Sequence, residues 1–235
     1  MAIKAVGFDL FDTLVTASAD GEACLRGIYD YLYSDGLEAP YETFVEAYRM
    51  LRKQQREARQ AQHREVTNSE SICGAADLLG HSLDPTSRTV RQAVRAYFQP
   101  WSLELRKGAF STLKALRQIV KLGLVTNFTD VAFVEECLTT CGIHDFFDAI
   151  TVSADCGWRK PSPRIFQVFL TNLGVSAMDC LFVGDDLESA VRGAKQAGML
   201  VAYLAPGQPL RDNIGGADHV IHSLEEVVPL VREML

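Results

Sequence analysis

Residues 2–15, AIKAVGFDLFDTLV, run apolar up to Asp9, with Asp12 and Thr13 close behind. A short apolar run bounded by polar residues reads as a strand buried on both faces, as in a parallel sheet. Such a strand carries the group at its carboxyl end to the rim of the sheet, where α/β proteins bind ligands. Asp9 is therefore the candidate nucleophile, weighed against the commoner use of an aspartate there as a turn or cap residue.

The rest of the chain alternates only in its second part. Residues 16–22 (TASADGE) are small and polar and read as a loop. From residue 23 to about 99 the pattern is helical. Leu25, Ile28, Tyr29 and Leu32 mark a first helix leaving near Gly36, and residues 41–64 a second with Phe44, Tyr48 and Leu51 on one stripe. Residues 69–79 and about 85–98 predict a third and a fourth, closed by Pro100. Beyond it helices and strands alternate: helix 108–117, strand to Thr126, helix 130–141, strand 149–153, helix 163–173, strand 180–184, helix 187–198, strand 199–204, then HVI and a last helix. Alternation at this spacing implies parallel pairing through right-handed crossovers. The predicted fold class is α/β: a three-layer core with a parallel sheet from residues 1–15 and 103–235, interrupted by an all-helical insertion over 16–102.

Length and composition, 235 residues with 48% hydrophobic and 23% charged, suit one globular domain carrying an insertion. A net charge of −7 argues against a general nucleic-acid surface. With no basic and apolar leader pattern and no apolar run of membrane-spanning length, the expectation is a cytoplasmic protein without a membrane partner, monomer or homodimer. The six cysteines show neither CxxC nor zinc spacing and are expected as free thiols.

Four segments present polar groups at the carboxyl edge of such a sheet. They are Asp9; Thr126 with Asn127; Lys160 in GWRKPSP; and Asp185 with Asp186 in FVGDD. Singly, each reads equally well as a cap, turn or solvated residue. Together they suit a carboxylate attacking an electrophile to give an aspartyl intermediate that water cleaves. The Lys160 ammonium would keep Asp9 ionised, and Thr126 and Asn127 would hold substrate oxygens. Acidic residues facing Asp9 repel it unless a cation lies between them, so Asp9, Asp185 and Asp186 predict a hard, oxygen-ligated ion, most simply Mg²⁺.

These motifs, FDLFDT, LVTN, RKPSPRIF and VGDD, resemble the four motifs of the haloacid dehalogenase superfamily of hydrolases, in this order over nearly the whole chain. The resemblance implies a Rossmann-like core and a mobile helical cap inserted between the first two motifs. It also implies Asp9 as nucleophile, with Lys160 and Thr126 holding the transferred group. The chain departs from the family at two places. Its phosphatases usually carry an acid/base aspartate two residues after the nucleophile, where this chain has Phe11. The Phe11 carbonyl can still bind a metal, but its ring cannot move a proton, and loss of a positioned acid/base costs roughly a hundredfold or more in rate. Asp12 is the nearest substitute, with a turn cap as its plainer role. In the fourth motif Ala190 stands where another acidic residue is usual, with Glu188 nearby.

Three functions follow. The first is a Mg²⁺-dependent phosphatase of a small anionic metabolite, supported by Lys160 and the Gly184-Asp185-Asp186 run. The second is a metal-independent dehalogenase, supported by Phe11, since halide leaves without a proton. The third is a catalytically weak relative that binds a ligand or a protein. In the second helix Arg49, Arg52, Arg56, Arg59 and His63 share one face. They form either a solvated or acid-paired face, or a site at which Arg49 and Arg52 hold a substrate carboxylate or phosphate.

Overall fold

The strand containing the nucleophile candidate is central. In the computed structural model, which describes residues 2–207 and 214–235, β1 (Ala5–Phe8) is buried along its whole length. It pairs in parallel with β4 (Lys121–Thr126) on one side and β6 (Cys180–Gly184) on the other. β5 (Ala149–Val152) adds beyond β4, and β7 (Leu200–Leu204) and β8 (His219–Ile221) beyond β6. The order β5-β4-β1-β6-β7-β8 reverses direction at β1, so the crevice outside its carboxyl end is a switch point of the sheet.

Alternate side chains of these strands enter two separate apolar layers. Val6, Phe8, Leu122, Leu124, Leu181 and Val183 join one, packed with α5 (Ala109–Leu116), α6 (Val131–Thr140) and α10 (Val227–Glu233). Ala5, Val125 and Phe182 join the other, with α8 (Pro163–Leu173) and α9 (Gly193–Gln196). A strand covered on both faces cannot alternate apolar with polar, which is why the strands read as continuous apolar runs.

By its internal contacts the chain divides into two compact units, Met1–Ala17 with Leu103–Leu235 and Ser18–Ser102. The second contains α1 (Gly21–Ser34), α2 (Tyr41–Gln62), α3 (Asn68–Asp77) and α4 (Arg88–Phe98). Asp20, Thr67 and Ser87 cap α1, α3 and α4 with side-chain oxygens, Thr67 in a capping box with Glu70. α1 and α4 approach closely at Gly27, where a Cβ would lie 2.9 Å from the Ala96 carbonyl oxygen.

Several elements differ from the sequence reading. The expected loop after β1 contains β2 (Val15–Ala19), and a strand not anticipated, β3 (Trp101–Leu105), pairs with it in a separate two-stranded sheet. Small, half-exposed residues in β2 leave no apolar pattern, and its partner is distant in sequence. The second helix stops at Gln62 because His63 turns left-handed at φ 52°. Fourth-helix residues before Arg88 are non-helical, with Ser87 as the cap. α7 (Ser153–Cys156) directly follows β5. The helix expected over 187–198 is a π-helical stretch, Leu187–Arg192, followed by α9. All six cysteines are free, and among the described residues no helix is long and apolar enough to cross a membrane.

Candidate active site

Asp9 follows β1, its amide donating to the Val183 carbonyl at 2.9 Å, so the β1–β6 ladder holds it at the sheet edge. Its carboxylate is nearly buried. Oδ1 accepts the Leu10 amide at 2.8 Å and Oδ2 meets the Lys160 ammonium at 2.5 Å. Lys160 is 4% exposed and also donates to the Val125 carbonyl at 3.1 Å. Two charges leaving water together require such close pairing and added hydrogen bonds.

The backbone of Lys160 is held by Asn127. Asn127 Oδ1 accepts the Lys160 amide at 2.7 Å, and its Nδ2 donates to the Lys160 carbonyl at 2.9 Å. Asn127 was expected to bind substrate; the structure spends both ends of its amide on seating the lysine. Thr126, 1% exposed, ends β4.

Asp185 follows β6 and is half-buried. Thr13 donates to its Oδ1 at 2.8 Å, a contact for which the sequence offered only proximity to Asp9. Burial raises the Asp185 pKa, and the charges of Asp9 and Asp12 add to this, outweighing the Thr13 hydrogen bond. Asp186 is committed to the next turn, its Oδ1 accepting both the amide and hydroxyl of Ser189 at 2.6 Å. Although burial opposes it, these bonds, with the Lys160 charge, hold its carboxyl below the ordinary value. Among the described residues no three His, Cys, Asp or Glu side chains converge as a metal cluster. Asp9 and Asp185 interact unfavourably as like charges, a smaller contribution to the raised Asp185 pKa than its burial, and both offer only oxygen donors. Oxygen-only donors of this kind suit the chemistry of Mg²⁺, which is commonly held by one or two carboxylates and keeps several waters.

The turn after Asp9 is unusual. Asp12 is exposed with φ 60°, its amide donating to the Val15 carbonyl at 2.8 Å and its carbonyl accepting from Arg106 Nη2. Phe11 stacks on Phe128 at 4.8 Å between ring centroids, and Phe128 stacks on Phe133 at 5.3 Å.

The model of the haloacid dehalogenase-like hydrolase family matches residues 3–198. The chain belongs to this hydrolase family. A curated relative from Methanopyrus kandleri, a glyceraldehyde 3-phosphate phosphatase, is 32% identical over 99% of this chain and 98% of its own. The phosphatase of the same name from Methanocaldococcus jannaschii is 27% identical over the same shares. Among solved structures, a 2-haloacid dehalogenase from Pseudomonas syringae has the same fold, with a TM-score of 0.70, 24% identity and 98% of both chains covered. A haloacid dehalogenase-family phosphatase from Thermococcus onnurineus superposes with a TM-score of 0.61 and 25% identity over 97% of this chain and 98% of its own.

Within this hydrolase, the two departures have structural reasons. Ala190 is fully buried, its Cβ 2.7 Å from where a Gly184 Cβ would lie, so it serves as packing under the fourth motif. Glu188 faces solvent and pairs with Arg192 at 2.6 Å. In the helical unit Arg52, expected at the substrate, donates to Ser71 Oγ at 3.0 Å, and Arg59 pairs with Glu65 at 2.6 Å. Arg49 is exposed on α2. The basic stripe is thus divided between internal bonds and solvent.

Proposed function

We propose that this hydrolase is a Mg²⁺-dependent phosphatase of a small phosphorylated metabolite, with Asp9 as nucleophile. The observation that carries the reading is the Asp9–Lys160 contact of 2.5 Å, made by two nearly buried groups at the switch point of the sheet. An Asp9 carboxylate oxygen attacks phosphorus, the phosphorus–oxygen bond to the alcohol breaks, and water then hydrolyses the aspartyl phosphate. Lys160, in contact with Asp9 at 2.5 Å, holds the nucleophile in place and offsets the charge of the phosphoryl oxygens. Thr126, which ends β4, would contribute a hydroxyl. Asp9, Asp185 and the Phe11 carbonyl would hold Mg²⁺, which when bound supplies a Lewis acid for the phosphoryl oxygens.

Phe11 brings no proton to the leaving group, so release of an alkyl alcohol calls for proton delivery by another group, of which Asp12 is the nearest in sequence, and without it only alcohols that leave readily depart. Whole-length relatives bearing the name glyceraldehyde 3-phosphate phosphatase support a substrate of triose phosphate size. The residues of the helical unit are proposed as an inserted domain.

The test is hydrolysis of an activated aryl phosphate by purified protein with Mg²⁺ and with EDTA, with Asp9→Asn as blank. Metal-dependent turnover that disappears in Asp9→Asn is expected. Halide release from a 2-haloacid without metal, in place of phosphate release, would select the dehalogenase reading suggested by Phe11.

A further inference from the structure

Arg106 joins the nucleophile turn to a second cavity. This cavity, about 400 Å³, is lined by Arg106 and Lys107 after β3, Leu204 and Pro206 after β7, and His222 to Glu225 after β8. Parallel pairing of β7 and β8 with the rest of the sheet puts it on the same carboxyl edge as Asp9. It lies wholly within the unit that carries the sheet.

Two lining side chains have a buried nitrogen without a hydrogen-bond partner among the described residues, Arg106 Nε and His222 Nε2. A buried donor or acceptor left unmade costs free energy, so two orphaned nitrogens on residues that line one cavity point to a missing ligand. Their chemistry is complementary. Arg106 Nε always bears hydrogen and can only donate. His222 Nδ1 lies 2.9 Å from the Ala205 carbonyl oxygen, which can only accept, so Nδ1 carries a hydrogen, and in that tautomer Nε2 accepts. Lys107 adds a second positive charge. The carboxylate of Glu225 is already packed on Gly108 at the start of α5, where a Cβ would lie 2.3 Å from its carboxyl carbon.

We propose that this cavity is a second binding site, distinct from Asp9, for a small anion that also bears a hydroxyl, of which hydrogenphosphate is the simplest. An anionic oxygen takes the hydrogen of Arg106 Nε and the hydroxyl donates to His222 Nε2. Because Arg106 Nη2 donates to the Asp12 carbonyl, the bound anion shares a guanidinium with the nucleophile turn.

The test is titration of full-length Asp9→Asn protein with inorganic phosphate in EDTA, following the His222 ring nitrogens by NMR and assigning them with His222→Gln. This reads the cavity whether or not Asp9 is the nucleophile. A saturable shift of His222 Nε2 is expected. Arg106→Gln should weaken phosphate roughly tenfold or more, as loss of a hydrogen bond to a charged partner does. Arg106→Lys, which keeps a charge near the Asp12 carbonyl but lacks Nε–H, should weaken it too. A His222 resonance that does not move, or an affinity unchanged in either arginine variant, would overturn the proposal.

Discussion

Lys160 and Asp9 are buried as a pair, so each is the other's condition for being inside. Removing the ammonium in Lys160→Ala leaves a nearly buried carboxylate without its partner, which costs about 3–5 kcal/mol. A urea midpoint lowered accordingly, with turnover lost, is the expected result, and an unchanged midpoint would show that water or a cation already shields Asp9. Phe11 poses the opposite case. Its ring is held by Phe128, itself stacked on Phe133, rather than by the reaction. Phe11→Asp should therefore cost about 2 kcal/mol of packing, while raising turnover of an alkyl phosphate more than that of an activated aryl phosphate, because only the first needs a proton. Equal gains on both substrates in parallel rate assays would remove the missing acid as the limiting defect.

At the scale of elements, the layers are set by close approaches that no propensity records. Gly7 and Gly123 face each other in the β1–β4 register and lie beneath the ring of Phe169 in α8. A Cβ at Gly123 would come 2.3 Å from that ring. Gly123→Ala should destabilise by about 1–3 kcal/mol, read from chemical denaturation, because a fully buried ring in a packed layer has little room to shift. Asp148 ties α5 to the sheet, accepting from Arg117 Nη1 at 2.5 Å and from the Leu122 amide at 2.9 Å. Burial would raise its pKa, yet those two bonds together hold it below the ordinary 3.8. With the folded value depressed, its contribution is complete above pH 3.8 and is lost as pH falls through the folded value. Asp148→Asn should lower the urea midpoint at neutral pH and lose part of the acid sensitivity, so that the two proteins converge in strong acid.

For the whole molecule the electrostatics of the sheet edge predict linkage to a cation. Burial raises the Asp185 pKa, and the Asp9 and Asp12 charges add a repulsion that a bound divalent ion would relieve. Millimolar Mg²⁺ should raise the melting temperature, EDTA should reverse this, and Asp185→Asn should abolish the response. A melting temperature indifferent to Mg²⁺ would count against Asp9 and Asp185 as ligands.

The sequence by itself determined the parallel α/β core, since strands covered on both faces must be continuously apolar and their crossovers must be helical. It also determined that Asp9, Thr126, Lys160 and Asp185 belong to one edge, because strand ends in a parallel sheet share a side. Local pattern carries no information about partners remote in the chain, so four features waited for the tertiary structure. These are the pairing of β2 with β3, the clamp of Asn127 on Lys160, the bond from Thr13 to Asp185, and the span of Arg106 from the Asp12 carbonyl to an empty-handed nitrogen in a second cavity. Each is a contact between segments that only the folded sheet brings together, and each decides what a side chain does after composition and spacing have decided where it lies.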